Sequence, residues 1–380
     1  MGCNQLVIIR TDANSNISSG HLMRCLSIAD ACQRLGMKVW FLVSDKESDS
    51  FVSSMLGNLP IASTGISQCE TACRHLILPN ADYRDLEQEL SVLPHTLKKM
   101  VAQEGYSYDT TVFLLDSYFV TPKYFKSLKE VIKTAYIDDL QLFDYPVDLV
   151  INYDVIPPDK LSVYEAAYRQ SGMHLLGSSY TPLRQQFQNI DYCVRNEVND
   201  ILVTTGGSDP YRICMEIVQR FASGNHSAMH KIKNTPLLTL HIIVGKYNED
   251  REVLLELAKQ LPFLQLHENV TDMAALMSCC DLAISASGTT LYELCAVGVP
   301  TISFTMADNQ LTVADAFAEA GAIPCAGDVR TQKDQVISGI LTFMTEMSEN
   351  IDKRRSAHDA MSRLVDSNGA MRIAKALQEL

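Results

Sequence analysis

The feature that most narrows what this chain can fold into is a rhythm that occurs twice: short apolar runs separated by amphipathic helical stretches. In the first half LVIIR (6–10), VWFLVS (39–44), TVFLLD (111–116), TAYIDD (134–139) and DLVINYD (148–154) read as buried strands, with HLILP (75–79) a shorter third one. Helical patterns lie between them, at 21–36 closed by Gly36, at a stretch through Met55, at 82–104, and at a segment with Pro122 near its start. A run that is apolar at every position is buried on both faces, which marks a parallel sheet covered by helices on either side. From Ile156 to Arg195 the rhythm fails. This Pro-, Tyr- and Gln-rich stretch reads as an interdomain connection with a short strand near 174–177. The alternation then restarts with DILVTTGGSDPYRICMEIVQRF as strand, glycine turn and helix. LLTLHIIVG, FLQLHENV, DLAISAS and TISFT follow as strands, helices are expected at about 249–261, 271–279, 289–297 and 310–321, and a charged helical tail runs from about 332 to 380.

A length of 380 residues exceeds what one hydrophobic core usually organises. The expected fold class is therefore α/β, with two Rossmann-like domains, 1–190 and 191–380, whose parallel sheets face each other across a cleft. Open parallel sheets bind ligands beyond the carboxyl ends of their strands, so the loops after the strands are where chemistry is expected.

A net charge of −13 argues against a chain that holds nucleic acid through its overall field. It leaves room for a small anion, because helix N-termini bind phosphate without any basic side chain. The 11 cysteines are odd in number and scattered, and neither Cys69 with Cys73 nor Cys279 with Cys280 has a second pair that would complete a zinc framework. Most of them read as small buried residues in a reduced compartment. No run of about 18 apolar residues reads as a membrane span, and Leu6 stands where a myristoylation signal needs Ser or Thr. A cytoplasmic protein without stable membrane insertion is expected, and the sequence does not give its oligomeric state.

Three constellations carry candidate chemistry. In IRTDANSNISSGHLMR (9–24) a strand passes through a polar loop containing Asp12, and Gly20-His21 opens a helix that also carries Arg24. A helix N-terminus favours the neutral imidazole that a general base needs, so His21 is either that base or a histidine that packs the loop. In TTGGSDP (204–210) the paired Gly206 and Gly207 leave backbone N–H groups free for an anion, and Ser208 or Asp209 can cap the following helix. The turn has neither the Gly-x-Gly-x-x-Gly of a dinucleotide site nor the Gly-Lys-Ser/Thr of a P-loop. The most informative stretch is DLAISASGTTLYELCAVGVPTI (281–302). Ser287, Gly288 and Thr289 form a small-residue turn before a helix, suited to a diphosphate, and Glu293 lies one helical turn further on. Glu293 is either an acceptor for both hydroxyls of a ribose or a solvated acid. Asp308, Asn309 and Gln310 follow the next strand and are placed to hydrogen-bond a sugar. Lesser candidates are Asp116 at the end of a strand, the pair Asp138-Asp139, and Arg184. Adjacent acids suit a divalent metal, an acid–base helper, or one cap plus one solvated acid.

SGH opening the first helix, GG at the second-domain turn and ASGTTLYELCAVGVPTI resemble the glycosyltransferase-B superfamily, and IRTD…SGHLMR, AYIDDL, NYD, LLGSSYTPLR, TTGGSDP, HENVTDM, SASGTTLYE and ADNQ form a more specific ordered set. More narrowly, they are similar to the UDP-sugar hydrolases of pseudaminic acid biosynthesis, which remove UDP from UDP-2,4-diacetamido-2,4,6-trideoxy-β-L-altropyranose. The resemblance covers nearly the whole chain. It implies that His21 activates a water for attack on the anomeric carbon with inversion, that Glu293 holds the uridine ribose, that the 286–289 turn holds the diphosphate, and that neither metal nor other cofactor is needed. The sequence departs from that family at Ser18-Ser19-Gly20-His21, where Gly-Phe-Gly-His can stand, and at Ser117, where a His can stand. It also has additional residues around 45–110 and at the C-terminus. The expected activity is hydrolysis of a UDP-diacetamido-deoxysugar. The alternatives are a UDP-sugar-dependent transferase with a lipid or sugar acceptor, and a nucleotide-sugar-binding protein without catalysis.

Overall fold

The computed structural model describes residues 5–14, 16–17, 19–56, 73–223 and 238–380. Ser18, Cys69 and the 57–72 part of the additional segment lie outside the described residues. The chain divides into two compact units, Met1–Arg184 with Ser367–Leu380, and Gln185–Asp366.

The first unit is built on β1 (Leu6–Arg10), β2 (Lys38–Val43), β3 (Arg74–Ile77), β4 (Thr111–Leu115), β5 (Lys133–Ile137), β6 (Leu149–Asn152) and β7 (Met173–Leu176). These form one seven-stranded sheet in the order β3-β2-β1-β4-β5-β6-β7, parallel throughout, with Leu6 opposite Lys38 on one side and Thr111 on the other. Every residue of β1, β4 and β6 is buried, as strands covered on both faces require. The helices are α1 (Gly20–Arg34), α2 (Lys46–Leu56), α3 (Leu93–Glu104), α4 (Pro122–Lys129) and α5 (Leu161–Ala167). Gly36 and Gly105 take the left-handed backbone that ends a helix (φ 83° and 75°), and the Thr121 hydroxyl caps α4 by accepting from Tyr124 N at 3.1 Å.

Two stretches differ from the sequence reading. The expected helix over 82–104 splits into a 3-10 turn, Leu86–Ser91, and α3. Pro94 lacks an N–H and fits only a first turn, so the helix starts at Leu93. The stretch from Ile156 to Arg184 is part of the first unit instead of a linker: it contains α5 and the edge strand β7, whose Met173 pairs with Leu149. The short strand expected near 174–177 is β7, whereas α5, a helix of seven residues with none buried, gives almost no periodicity to read.

The second unit contains β8 (Asp200–Thr204), β9 (Thr239–Ile243), β10 (Leu264–His267), β11 (Leu282–Ala286), β12 (Thr301–Thr305) and β13 (Cys325–Asp328). Their order is β10-β9-β8-β11-β12-β13, again all parallel. The helices are α6 (Ile213–Ser223), α7 (Arg251–Gln260), α8 (Met273–Cys279), α9 (Thr290–Val297), α10 (Leu311–Glu319), α11 (Val329–Glu349) and α12 (Ile351–Leu364). Ile201, Val203, Ile217, Leu282, Ile284, Ile340 and Met344 are among the buried residues of its core. The sequence rhythm did not suggest β13, a half-buried edge strand reading Cys-Ala-Gly-Asp.

The last helix, α13 (Gly369–Glu379), belongs to the first unit, so the helical tail expected within 191–380 is shared by both. It packs on α1, and Gln5 Nε2 donates to Leu377 O at 3.0 Å. A Cβ on Gly369 would fall 2.2 Å from the Thr181 carbonyl, so backbone meets backbone where the chain returns.

The 86–104 segment has a structural role at the centre of the first unit. It carries Glu89, fully buried, to Arg10 at the end of β1, where Arg10 Nε donates to its carboxylate at 3.0 and 3.2 Å. Tyr124 of α4 donates its hydroxyl to Glu89 at 2.6 Å, and Arg10 Nη1 reaches Asp12 at 2.5 Å. Removing one partner of a buried ionic group strands the other's charge. Glu89→Ala is expected to lower the unfolding free energy by about 3–5 kcal/mol in chemical denaturation, and a loss below about 1 kcal/mol would show that Arg10 is served without it.

Candidate functional site

In the first unit the strand order reverses between β1 and β4, the position where open parallel sheets hold ligands. β1 runs on to Asp12, and β4 runs on to Asp116. Asp12 is used internally: its Oδ1 accepts from Ser44 N at 2.6 Å and Ser44 Oγ at 2.9 Å, tying the ends of β1 and β2 together.

Asp116 is the centre of the site. His21, at the second position of α1, places Nδ1 2.6 Å from Asp116 Oδ1. Three residues later, on the same helix face, Arg24 grips that carboxylate with two prongs, Nε at 2.7 Å and Nη2 at 2.6 Å. Cys25 adds its thiol at 3.4 Å. Burial alone would raise the Asp116 acid, but Arg24 and His21 outweigh it and hold Asp116 well below the ordinary carboxylate range. An ionised carboxylate only accepts, so Nδ1 of His21 carries the proton and Nε2 is the basic nitrogen of the neutral ring. Arg24 Nη2 also lies 3.2 Å from Nδ1, a close approach of two donors that share the Asp116 oxygen.

The remaining nitrogen of Arg24, Nη1, donates to both oxygens of Asp139 at 2.8 Å and to the Tyr153 hydroxyl at 2.5 Å. Tyr118 donates to Asp139 at 2.9 Å and sets its ring edge-on to His21, with centroids 4.4 Å apart. A small pocket here is lined by Asp12, Ile17, His21, Tyr83, Asp116, Ser117, Tyr118 and Phe119. Gly20 faces open space, since an added Cβ would meet no atom within 4 Å.

Asp138 and Asp139 diverge. Asp138 turns inward and accepts from Leu140 N, Gln141 N, Tyr145 OH (2.9 Å) and Tyr168 OH (2.7 Å), which fills its lone pairs and excludes it as a metal ligand. Asp139 serves Arg24. The nearby Asp154, after β6, is pushed up to about 7, first by burial and then by the negative charge of Asp139.

In the second unit the residues singled out from the sequence lie after β8, β11 and β12, adjacent strands of one sheet, at its carboxyl end. Gly206 and Gly207 are exposed, with φ 83° at Gly206. Asp209 caps α6, accepting from Ile213 N at 2.9 Å and Cys214 N at 2.8 Å. At the next turn the Ser287 hydroxyl is buried and donates to Phe304 O at 2.9 Å. Gly288 faces open space, and Thr289 begins α9 with no side-chain cap on its first N–H groups. Glu293 is half-buried in the first turn of α9. Asn309 is exposed, Gln310 accepts from Met306 N at 2.8 Å, and Asp308 pairs with Arg330 at 2.6 Å. Arg184 is half-buried at the end of the first unit's main segment.

The sequence reading brought out His21, Arg24 and Asp139 and placed Asp116 among lesser candidates. It did not name Tyr118, Tyr153, Ser44 or Glu89. The available signal was a polar-aromatic tripeptide at the end of two strands, Asp116-Ser117-Tyr118 just after β4 and Asn152-Tyr153-Asp154 closing β6.

Comparison with known proteins agrees with this architecture. Residues 201–368 match the glycosyltransferase family 28 C-terminal domain. The chain is similar to the spore coat polysaccharide biosynthesis protein SpsG of Bacillus subtilis, 29% identical over 206 residues covering 54% of this chain and 58% of that protein. An uncharacterised Methanocaldococcus jannaschii protein, MJ1062, is 20% identical over 78% of this chain and 54% of its own length. The chain thus spans little more than half the length of these two relatives. Among solved structures, a UDP-glucosyltransferase from Polygonum tinctorium superposes with a TM-score of 0.66 at 14% identity, covering 99% of both chains. Acinetobacter baumannii MurG gives 0.63 at 13% identity, covering 99% of this chain and 100% of that one. The UDP-GlcNAc 2-epimerase of Methanocaldococcus jannaschii gives 0.56 at 13% identity, covering 99% and 100%. The fold is that of the glycosyltransferase-B group. Among the described residues no helix is long and apolar enough to cross a membrane.

The raised acid of Asp154 sets a pH dependence. Between about pH 4 and 7 the folded state holds a proton on Asp154 that the unfolded chain has released, so this group's contribution is complete below pH 4 and is lost as pH rises through 7. Asp154→Asn is expected to flatten the fall in stability over that window, read from denaturation midpoints at several pH values. An unchanged slope would assign it to other groups.

Proposed function

We propose that this protein is a nucleotide-sugar enzyme in which His21 is a general base and the second unit holds a UDP moiety. We further propose that its reaction is hydrolysis of a UDP-diacetamido-trideoxy sugar, for nonulosonic acid or related polysaccharide synthesis. The observation that carries the reading is the His21–Asp116 pair: a buried carboxylate fixes one ring nitrogen as donor and leaves the other basic, at the strand reversal where ligands bind.

In the proposed step, Nε2 of His21 takes a proton from water as its oxygen forms a bond to the anomeric carbon. The bond from that carbon to the diphosphate oxygen breaks, and UDP leaves with the electron pair. The imidazolium formed is paired with Asp116 and returns its proton to solvent. Gly288 and Thr289 at the start of α9 are proposed to receive the diphosphate, Glu293 the ribose, and Gly206, Gly207, Asn309 and Gln310 the surrounding polar groups. The biosynthetic role named for the Bacillus relative and the family match over 201–368 support use of a sugar nucleotide. Asp12 and Arg24 act through the site's internal ion pairs, and Asp139 through Arg24.

The second reading is a glycosyltransferase with the same donor. The family match favours it, since that domain is named for transferases. Incubation with a panel of UDP-sugars in the presence of EDTA, followed by measurement of free UDP, separates the two. The hydrolase releases UDP with water alone, whereas release only after a lipid or sugar acceptor is added identifies a transferase. His21→Ala is expected to lower turnover by at least about 10²-fold while leaving UDP affinity nearly unchanged. Near-normal turnover would remove His21 from the mechanism.

A further inference from the structure

The carboxyl end of the second unit's sheet has an unusual balance of charge. Basic residues stand there, but most are already neutralised. Among the described residues, Arg212 pairs with Asp250 at 2.7 Å, Arg251 pairs with Glu268 and Glu252, and Arg330 pairs with Asp328 at 2.8 Å and Asp308 at 2.6 Å. The N-terminus of α6, which begins after the Gly206-Gly207 turn, is filled by the Asp209 carboxylate. An anion approaching that turn therefore meets a like charge close behind it, and the arginines around it have little charge to spare.

Lys246 is different. It lies in the loop after β9, the strand next to β8, about 4.8 Å away at ordinary strand spacing. It is exposed and makes no ion pair with any described carboxylate, and its Nζ rests over the Tyr247 ring at 5.3 Å. The residues on either side of it are fastened to the glycine turn. A Cβ on Gly245 would fall 2.2 Å from Gly206 O and 2.5 Å from Gly207 O, so only glycine permits this backbone approach. On the other side Tyr247 N donates to Gly207 O at 2.9 Å. The next residue, Asn248, is buried, and its amide Nδ2 has no partner among the described residues. The loop is thus held at a fixed distance from Gly206-Gly207, and the side chain it presents between its two anchors is the uncommitted ammonium.

We propose that Lys246 supplies the positive charge that the second unit presents to the phosphates of its nucleotide ligand. This rests on the nucleotide-sugar reading above and adds a contact that the glycine and hydroxyl turns do not provide. A lysine suits the task because its ammonium is a point charge on a mobile stem, able to leave the Tyr247 face for a phosphate oxygen without breaking an ion pair.

The test is calorimetric titration of the full chain with UDP at low and high salt, for the wild type, Lys246→Ala and Lys246→Arg. Lys246→Ala is expected to weaken UDP binding about tenfold at low salt and to reduce the salt dependence, while Lys246→Arg retains most of both. Its thermal unfolding should match the wild type, because the side chain is exposed and carries no ion pair. Wild-type affinity and salt dependence in Lys246→Ala would overturn the assignment of Lys246 alone. A wild-type protein that binds no UDP would overturn the nucleotide reading and this inference with it.

Discussion

The geometry of the first unit depends on burying one carboxylate, Asp116, at the end of β4. A carboxylate out of water needs a cation and several donors, and α1 provides both from a single face. His21 and Arg24 stand three residues apart, so the helix that brings the imidazole to one oxygen brings the guanidinium to both. Each requirement leads to another. Burial by itself would favour loss of the Arg24 proton, and Asp116 together with Asp139 keeps it charged. Asp139 is held by Tyr118, whose ring then fixes the side of His21. The histidine is oriented on two sides by the protein itself, the preorganisation that the proposed general-base role would use.

The same device appears one strand over. Arg10, Asp12, Glu89 and Tyr124 form a second buried ionic network, anchored on β1 and reaching β2 through Ser44. A parallel sheet hydrogen-bonds its strands along their length but leaves their carboxyl ends to the loops. Here those ends are joined by charge. β1 ends in Arg10, and β2 and β4 are followed directly by Ser44 and Asp116, each part of a network or bound to one.

How much of this could be read beforehand follows from distance along the chain. The strands of both sheets are local patterns of apolar residues, and all but β13 were apparent as such. Gly36 and the Thr121-Pro122 start of α4 are equally local. The site's partners are not. Asp116 is 95 residues from His21 and Glu89 is 79 from Arg10, so no spacing rule connects them. His21 was legible because a helix start after a strand is itself a local signal; Asp116 looked like one strand-end acid among several. The α13 helix shows a further limit. Its amphipathic pattern predicts a helix with one buried face, but nothing in that pattern says the face is covered by α1, more than three hundred positions earlier.

The two units use charge in opposite ways, which makes a net charge of −13 compatible with the proposed anionic ligand. In the first, acids and bases are buried together and satisfy one another, producing one oriented nitrogen with a defined proton on its partner. In the second, the proposed ligand edge is made of glycine turns and a helix start without a side-chain cap, and its arginines pair with neighbouring carboxylates. Overall charge acts at a distance and is screened within about 10 Å at ordinary salt, whereas backbone N–H groups and an uncommitted ammonium act at contact. The net charge therefore bears on which large polyanions the protein repels. It says little about a diphosphate that reaches the turn itself, where the local donors decide the outcome.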